Sequence, residues 1–224
     1  MIKNFIFIIC LITVIAQADV ITVENGKGLQ KAIEDSKEGD EIKIGVGDYV
    51  ESIFIDKDKK NISLIGISNS ENIKPTIHAT SGTPGDAIII NGASQDASIL
   101  IKGCNITVKN LAIKYEYNSL SNNDILIASN GNSLLDNDII GYPESGIFLY
   151  RCSKNIISGN RIFKNSERGI LLQESAENII HCNKIYDNSG HGIYLPRASN
   201  NKIESNDIYS NLGGVVIENG SNSN

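Results

Sequence analysis

His191 stands between two glycines, and Arg168 stands beside Gly169 at the same place 23 residues earlier, with Glu167 next to it. A histidine and an arginine on neighbouring turns of a repeat could act together on an acidic sugar, one base taking the proton beside the carboxylate while a cation neutralises it. Arg168, His191 and Glu167 are therefore the catalytic candidates. Inverting hydrolysis asks for a different pattern, two carboxylates roughly 6.5 to 9.5 Å apart around a water. The outward positions nearby hold no paired aspartates. His191 also shares its place with Arg168 and Ser145, one residue before a recurring glycine, which is the pattern of a variable turn residue.

Binding chemistry is better represented. The segments Ile147-Phe148-Leu149-Tyr150, Ile170-Leu171-Leu172-Gln173 and Ile193-Tyr194-Leu195-Pro196 follow the glycines. If their first and third residues point inward, Phe148, Tyr150, Gln173 and Tyr194 point outward on adjacent strands. Aromatic faces stack on sugar rings, while amides and guanidinium groups bond hydroxyls or carboxylates. Phe148, Tyr150, Gln173, Tyr194 and Arg197 form the expected substrate-binding set. Arg151, Glu174 and Arg197 also alternate in sign down one column. A surface ion-pair ladder would do the same, each contact being worth at most about 1 kcal/mol. A second outward column, Ile140, Phe163, Tyr186 and Tyr209, suits cross-coil stacking.

What must position these residues is a repeat. From residue 132 onward, Asn132, Asn155, Asn178 and Asn201 fall 23 apart, as do Asn137, Asn160, Asn183 and Asn206. Leu134, Ile157, Ile180 and Ile203 keep the same step, and so do Ile139, Ile162, Ile185 and Ile208. A period of this size means stacked repeats. The runs between asparagines are short and alternate with period two, without an apolar stripe at helical spacing. Asparagine tolerates left-handed backbone angles and satisfies nearby main-chain groups, so the asparagine clusters read as turns. Short strands and turns in 23 residues describe one coil of a single-stranded right-handed parallel β-helix, an all-β solenoid. The asparagine columns are expected to be structural ladders. Asn105 and Asn110 read as a weaker repeat, displaced by an insertion around Glu116 to Ser121.

Residues 1–18 carry Lys3, an apolar stretch from Phe5 to Ala16 and Ala16-Gln17-Ala18 before Asp19, the pattern of a secretory signal peptide. The expected mature chain, Asp19 to Asn224, is secreted, periplasmic or on the cell surface, with no membrane association after cleavage. Its formal charge of -6 becomes -7 when Lys3 is removed, and it has no tryptophan or basic run. This argues against a nucleic-acid partner. Cys104, Cys152 and Cys182 do not share a repeat position, and His181 and Cys182 adjoin on a strand. Small buried residues or one incidental disulfide fit better than a metal site.

Residues 19–66 have another texture. Val20 to Val23 reads as a strand, Gly28 to Ser36 as a short amphipathic helix with Leu29, Ala32 and Ile33 on one side, and Glu41 to Ile44 and Gly47 to Ile55 as further strands. Such a helix can cap an open solenoid end. Residues 67–224 continue as coils in one domain with this cap.

Gly39-Asp40-Glu41-Ile42-Lys43-Ile44, Gly47-Asp48-Tyr49 and Lys59 to Gly66 resemble the opening coils of pectin-lyase-fold proteins. The Gly-Ile-x-Leu and Asn-x-Ile-x-x-Asn-x-Ile repeats from 132 to 211 are similar to carbohydrate-binding and sugar-hydrolase type β-helix repeats, NosD-like proteins and mannuronan epimerases among them. The resemblance implies a polysaccharide or cell-envelope glycan as partner. Of the motifs expected of pectinesterases, polygalacturonases and epimerases, only Gly190-His191-Gly192 occurs. The expectation is a glycan-binding β-helix without a cofactor. The alternative is a uronate lyase, glycoside hydrolase or C5-epimerase working around Arg168 and His191, with calcium implied only for a lyase. A further coil starting at Gly213 leads to the expectation of self-association, a covering partner or further coils at that end.

Overall fold

The computed structural model describes residues 18–26, 28–78, 88–90, 93–95, 97–114, 123–141, 143–218, 221–222 and 224. The expected signal peptide and the insertion around Glu116 to Ser121 lie outside the described residues. The chain winds as a right-handed parallel β-helix with three sheets along its sides. The first sheet has eight strands, from Val20–Val23 to Lys202–Glu204. The second runs in seven strands from Asp48–Val50 to Asp207–Tyr209, and the third in seven from Ile53–Ile55 to Gly213–Ile217. Leu134, Ile157, Ile180 and Ile203 stand in register on four adjacent strands, and the first three are fully buried. One continuous core follows, because every coil contributes the same inward positions.

The corners explain the asparagines. At each, a residue with positive φ turns the chain and the next residue points inward. Lys154 (φ 60), Glu177 (φ 56) and Asn200 (φ 55) precede Asn155, Asn178 and Asn201. Cys182 (φ 56) and Ser205 (φ 56) precede Asn183 and Asn206. Asn178 uses its whole amide. Its Oδ1 accepts from the backbone N–H and Nδ2 of Asn155, both at 3.0 Å. Its Nδ2 donates to Asn201 Oδ1 at 2.9 Å and to the Cys152 carbonyl at 3.3 Å. A third ladder, Asn165, Asn188 and Asn211, runs beside the corner leading to the third sheet. It crowds the recurring glycine together with the inward isoleucines. A Cβ on Gly146, Gly169 or Gly192 would meet Cγ2 of Ile162, Ile185 or Ile208 at 2.8, 2.4 and 2.5 Å and the Nδ2 of these asparagines at 2.8, 3.1 and 3.2 Å.

Two expectations need correction. Val108 pairs with Leu134, so Ile106 and Leu111, not Asn105 and Asn110, stand above Asn132 and Asn137. Asn105 (φ 56) and Asn110 (φ 57) are the turn residues one place earlier. The stretch Gly47 to Ile55 is not one strand but two, Asp48–Val50 and Ile53–Ile55, in different sheets. The bend between them aims Glu51 at the helix Leu29–Asp35, whose Gly28 cap offers no side chain. Both Glu51 oxygens accept helix N–H groups, from Leu29 and Gln30 at 3.0 Å. Leu29, Ala32 and Ile33 then close the end of the core, as the amphipathic pattern implied.

Candidate functional site

The outer face of the third sheet is divided. On one part Ala97, Leu100, Leu126, Phe148, Tyr150 and Leu171 form a second buried cluster, with Phe54, Ile88 and Tyr194 packed against it. Ile88 belongs to a short hairpin, Ile88–Ile90 with Ala93–Gln95, that the chain inserts before the strand Ala97–Ile101. Phe148 and Tyr150 do leave the coil interior, yet they are only 2% and 9% exposed. The expected sugar-stacking role therefore finds Phe148 closed to solvent, and Tyr150 covered, with the Arg151 guanidinium 5.0 Å from its ring centre. Periodicity shows which way a side chain points but not what folds over it.

Further along the same face the sheet is open. Arg168 and His191 begin the strands Arg168–Gln173 and His191–Leu195, so they are strand residues and not the turn residues that their variability suggested. The Arg168 guanidinium lies 5.1 Å from the centre of the Tyr194 ring, a cation–π distance, and pairs with Glu167 at 2.6 Å. The His191 ring is 5.7 Å from that of Tyr194, tilted by 37°. A hydrogen bond to the Glu218 carboxylate pushes the pKa of the Tyr194 phenol up, holding it protonated further into alkali. Glu218 was not among the expected residues, although it directly follows the last strand of the column, Gly213–Ile217. His191 Nδ1 is buried without a hydrogen-bond partner among the described residues. It lies 2.5 Å from where a Cβ on Gly213 would stand, and His191 pairs with Gly213 in register. The imidazole thus occupies room left by a missing side chain.

Gln173 ends the strand Arg168–Gln173, and Arg197 (φ 53) lies in the turn two residues past His191–Leu195. Arg197 Nη2 bonds Glu174 Oε1 at 2.9 Å, and Arg151 Nε bonds Glu174 Oε2 at 2.7 Å. The expected alternating ladder is therefore present, and Arg151 above all holds the Glu174 carboxyl below its ordinary range. Two guanidinium groups share one carboxylate, which leaves exposed donors and a positive charge on this edge. The structure brings Glu167, Arg168, His191, Tyr194 and Glu218 together and sets Gln173 and Arg197 beside them along the strand direction. In the second outward column, Phe163, Tyr186 and Tyr209 stack on one another at 4.8 and 5.1 Å, so their faces serve each other.

Cys104, Cys152 and Cys182 are free thiols, and burial pushes the Cys152 thiol up to about 11. His181 shares a hydrogen bond with Ser158 Oγ at 2.9 Å. Among the described residues, no group of three or more His, Cys, Asp or Glu side chains is placed to hold a metal ion. No helix among them is long and apolar enough to cross a membrane.

Comparison with known proteins agrees with this architecture. No functionally curated protein matches the chain. Among solved structures, it is similar to a tailspike protein of Acinetobacter baumannii bacteriophage Fri1, a capsular polysaccharide depolymerase, at 10% identity and a TM-score of 0.52 over 92% of this chain and 40% of that one. It is also similar to tailspike protein 2 of bacteriophage CBA120, at 13% identity and a TM-score of 0.49 over 89% of this chain and 37% of that one. A Yersinia enterocolitica family 28 exopolygalacturonase matches at 11% identity and a TM-score of 0.45 over 93% of this chain and 57% of that one. The chain spans about two fifths of the length of the tailspikes. Likeness at such identities shows the fold alone. The model of the right handed beta helix region matches residues 86–224, more than half of the sequence, and the chain belongs to that family.

Proposed function

We propose that the protein is an exported β-helix module that binds an extended polysaccharide or cell-envelope glycan along the open part of the third sheet's outer face. The observation that carries this reading is the cluster of Arg168, Tyr194, His191 and Glu218, an aromatic ring flanked by charged donors and acceptors on consecutive strands. Strands repeat about every 4.8 Å along the axis, so a linear polymer lying parallel to the axis meets a new set of side chains at every coil. The buried ridge of Leu126, Phe148 and Leu171 gives that face a rigid floor. Gln173 and Arg197 extend it sideways with an amide and a guanidinium group. The tailspike of bacteriophage Fri1 is named as a capsular polysaccharide depolymerase, which agrees with a glycan partner.

Binding is preferred to catalysis on two grounds. Arg168 is already paired with Glu167, and the Nδ1 of His191 faces into the protein. Affinity electrophoresis against acidic and neutral glycans tests the reading. Tyr194→Ala and Arg168→Ala should each reduce retention on a glycan that retains the wild type. Unchanged mobility in both variants would remove this face as the site. Polyuronate turnover by the wild type, lost in His191→Ala with the melting temperature nearly unchanged, would put the lyase or epimerase reading first.

A further inference from the structure

The first strand is anchored at the place where the sequence pattern expects the chain to be cut. Val20–Val23 lies at the edge of the first sheet, paired with Glu41–Ile44 alone. The residue before it is fixed twice, because the Asp19 N–H donates to Asp40 Oδ1 and the Asp19 carbonyl accepts from the Glu41 N–H, both at 2.9 Å. Ala18 lies against the turn at Gly39 (φ 93), its Cβ 3.5 Å from where a Cβ on that glycine would stand. Asp40 is only 3% exposed, and its Oδ2 accepts from the Lys37 N–H at 2.7 Å. Burial pushes its carboxyl up, but the bonds from Lys37 and Asp19 and the charges of Lys37 and Lys59 outweigh that and hold it below its ordinary value. It is therefore ionised at neutral pH. The hydrogen bonds it accepts come from neutral backbone N–H groups, while Lys59 Nζ is taken by the Glu34 and Ser36 carbonyls at 2.7 and 2.8 Å. A covered carboxylate held by neutral donors gains from a counterion placed within bonding distance.

The nitrogen that faces Asp40 is the one that the Ala16-Gln17-Ala18 pattern would release. Building on the export in the proposed function, we propose that cleavage after Ala18 supplies this counterion: the new Asp19 ammonium pairs with Asp40 and locks the strand Val20–Val23 onto the solenoid. In that hydrolysis the oxygen of water goes to the Ala18 carbonyl carbon, which leaves as a carboxylate, and both hydrogens go to the Asp19 nitrogen. An α-amine titrates near pH ~8, so the product is charged at neutral pH. It has no distance to travel, since the nitrogen already stands 2.9 Å from Oδ1. A charged donor binds a carboxylate about twice as strongly as a neutral one, so the first strand tightens only once the leader is gone. Two measurements separate export from the lock. The full-length chain expressed in a bacterium should be recovered outside the cytoplasm with Asp19 as its first residue; a chain that stays in the cytoplasm would remove both, and any other first residue would overturn the lock alone. Hydrogen exchange then compares the exported protein with its Nα-acetylated form, whose terminal nitrogen keeps one hydrogen and no charge. Acetylation should speed exchange of the Val20–Val23 amides about three- to tenfold and leave those of Arg168–Gln173 unchanged. In Asp40→Asn it should change neither. Equal exchange in the two wild-type forms would overturn the proposal, whether or not the variant folds, and so would an acetylation effect that persists in Asp40→Asn.

Discussion

Asp138 shows what one well-placed carboxylate does for a coil. Arg161 grips it with two hydrogen bonds, Nε at 2.7 Å and Nη2 at 2.6 Å, and Lys74 stands 3.1 Å away. Burial alone would push its carboxyl up, but the bonds from Arg161 and Lys74 outweigh that and hold it below the ordinary value. The folded state therefore releases this proton more readily than the unfolded chain, whose aspartates titrate near pH ~3.9. Its contribution to stability is present above that pH and is lost as the pH falls through the lowered folded value. Asp138→Asn should cost about 1 kcal/mol at neutral pH, a modest figure because Arg161 is half exposed. The deficit should shrink below about pH 4, and urea unfolding of both proteins at the two pH values would measure it. A deficit that stayed constant with pH would mean that packing, not charge, holds the residue.

Among the elements, the ladders are the strongest joint. Replacing Asn178 by alanine would leave the backbone N–H and Nδ2 of Asn155 without an acceptor, while Asn201 Oδ1 keeps the backbone N–H of residue 178 and the Cys152 carbonyl keeps that of Ala176. Orphaned buried groups cost about 1 to 3 kcal/mol each before relaxation, so Asn178→Ala should lose roughly 3 to 5 kcal/mol in denaturant unfolding. Asn206→Ala, on the last coil of its ladder, should lose clearly less. Equal losses would show that the ladders are decoration. These columns were legible in the sequence because strict 23-residue spacing puts like residues in contact. The third ladder was equally visible in Asn165, Asn188 and Asn211, yet its meaning depends on the glycines that make space for it. Asn105 and Asn110 misled by one place, since asparagine suits both the turn position and the inward position after it. The burial of Phe148 could not be read at all. It depends on a cluster that includes Phe54 and Ile88, residues that the 23-residue columns do not contain.

For the molecule as a whole, stability is a sum over neighbours. One end is closed by the helix Leu29–Asp35, while the coil with Tyr209, Val215 and Ile217 leaves those side chains exposed. Hydrogen exchange should follow this asymmetry. Amides of the strands from Ser133–Leu135 to Arg168–Gln173 should exchange slowest, and those of Lys202–Glu204, Asp207–Tyr209 and Gly213–Ile217 much faster. Uniform protection along the axis would mean that unfolding is all-or-none. The fold was readable from the repeat, whereas the candidate site depended on Glu218 and Gly213, single residues on a coil that is one residue shorter than its neighbours. The turn residues before each ladder have a different consequence. Lys154, Glu177 and Asn200, or Asp187 and Ser210, share a left-handed backbone but no common side-chain chemistry, and all five are exposed. Only the main chain is specified there. Such corners can change charge and size over evolutionary time while the scaffold behind them stays fixed, so lineages of this family can rewrite their outer surface and still keep their shape.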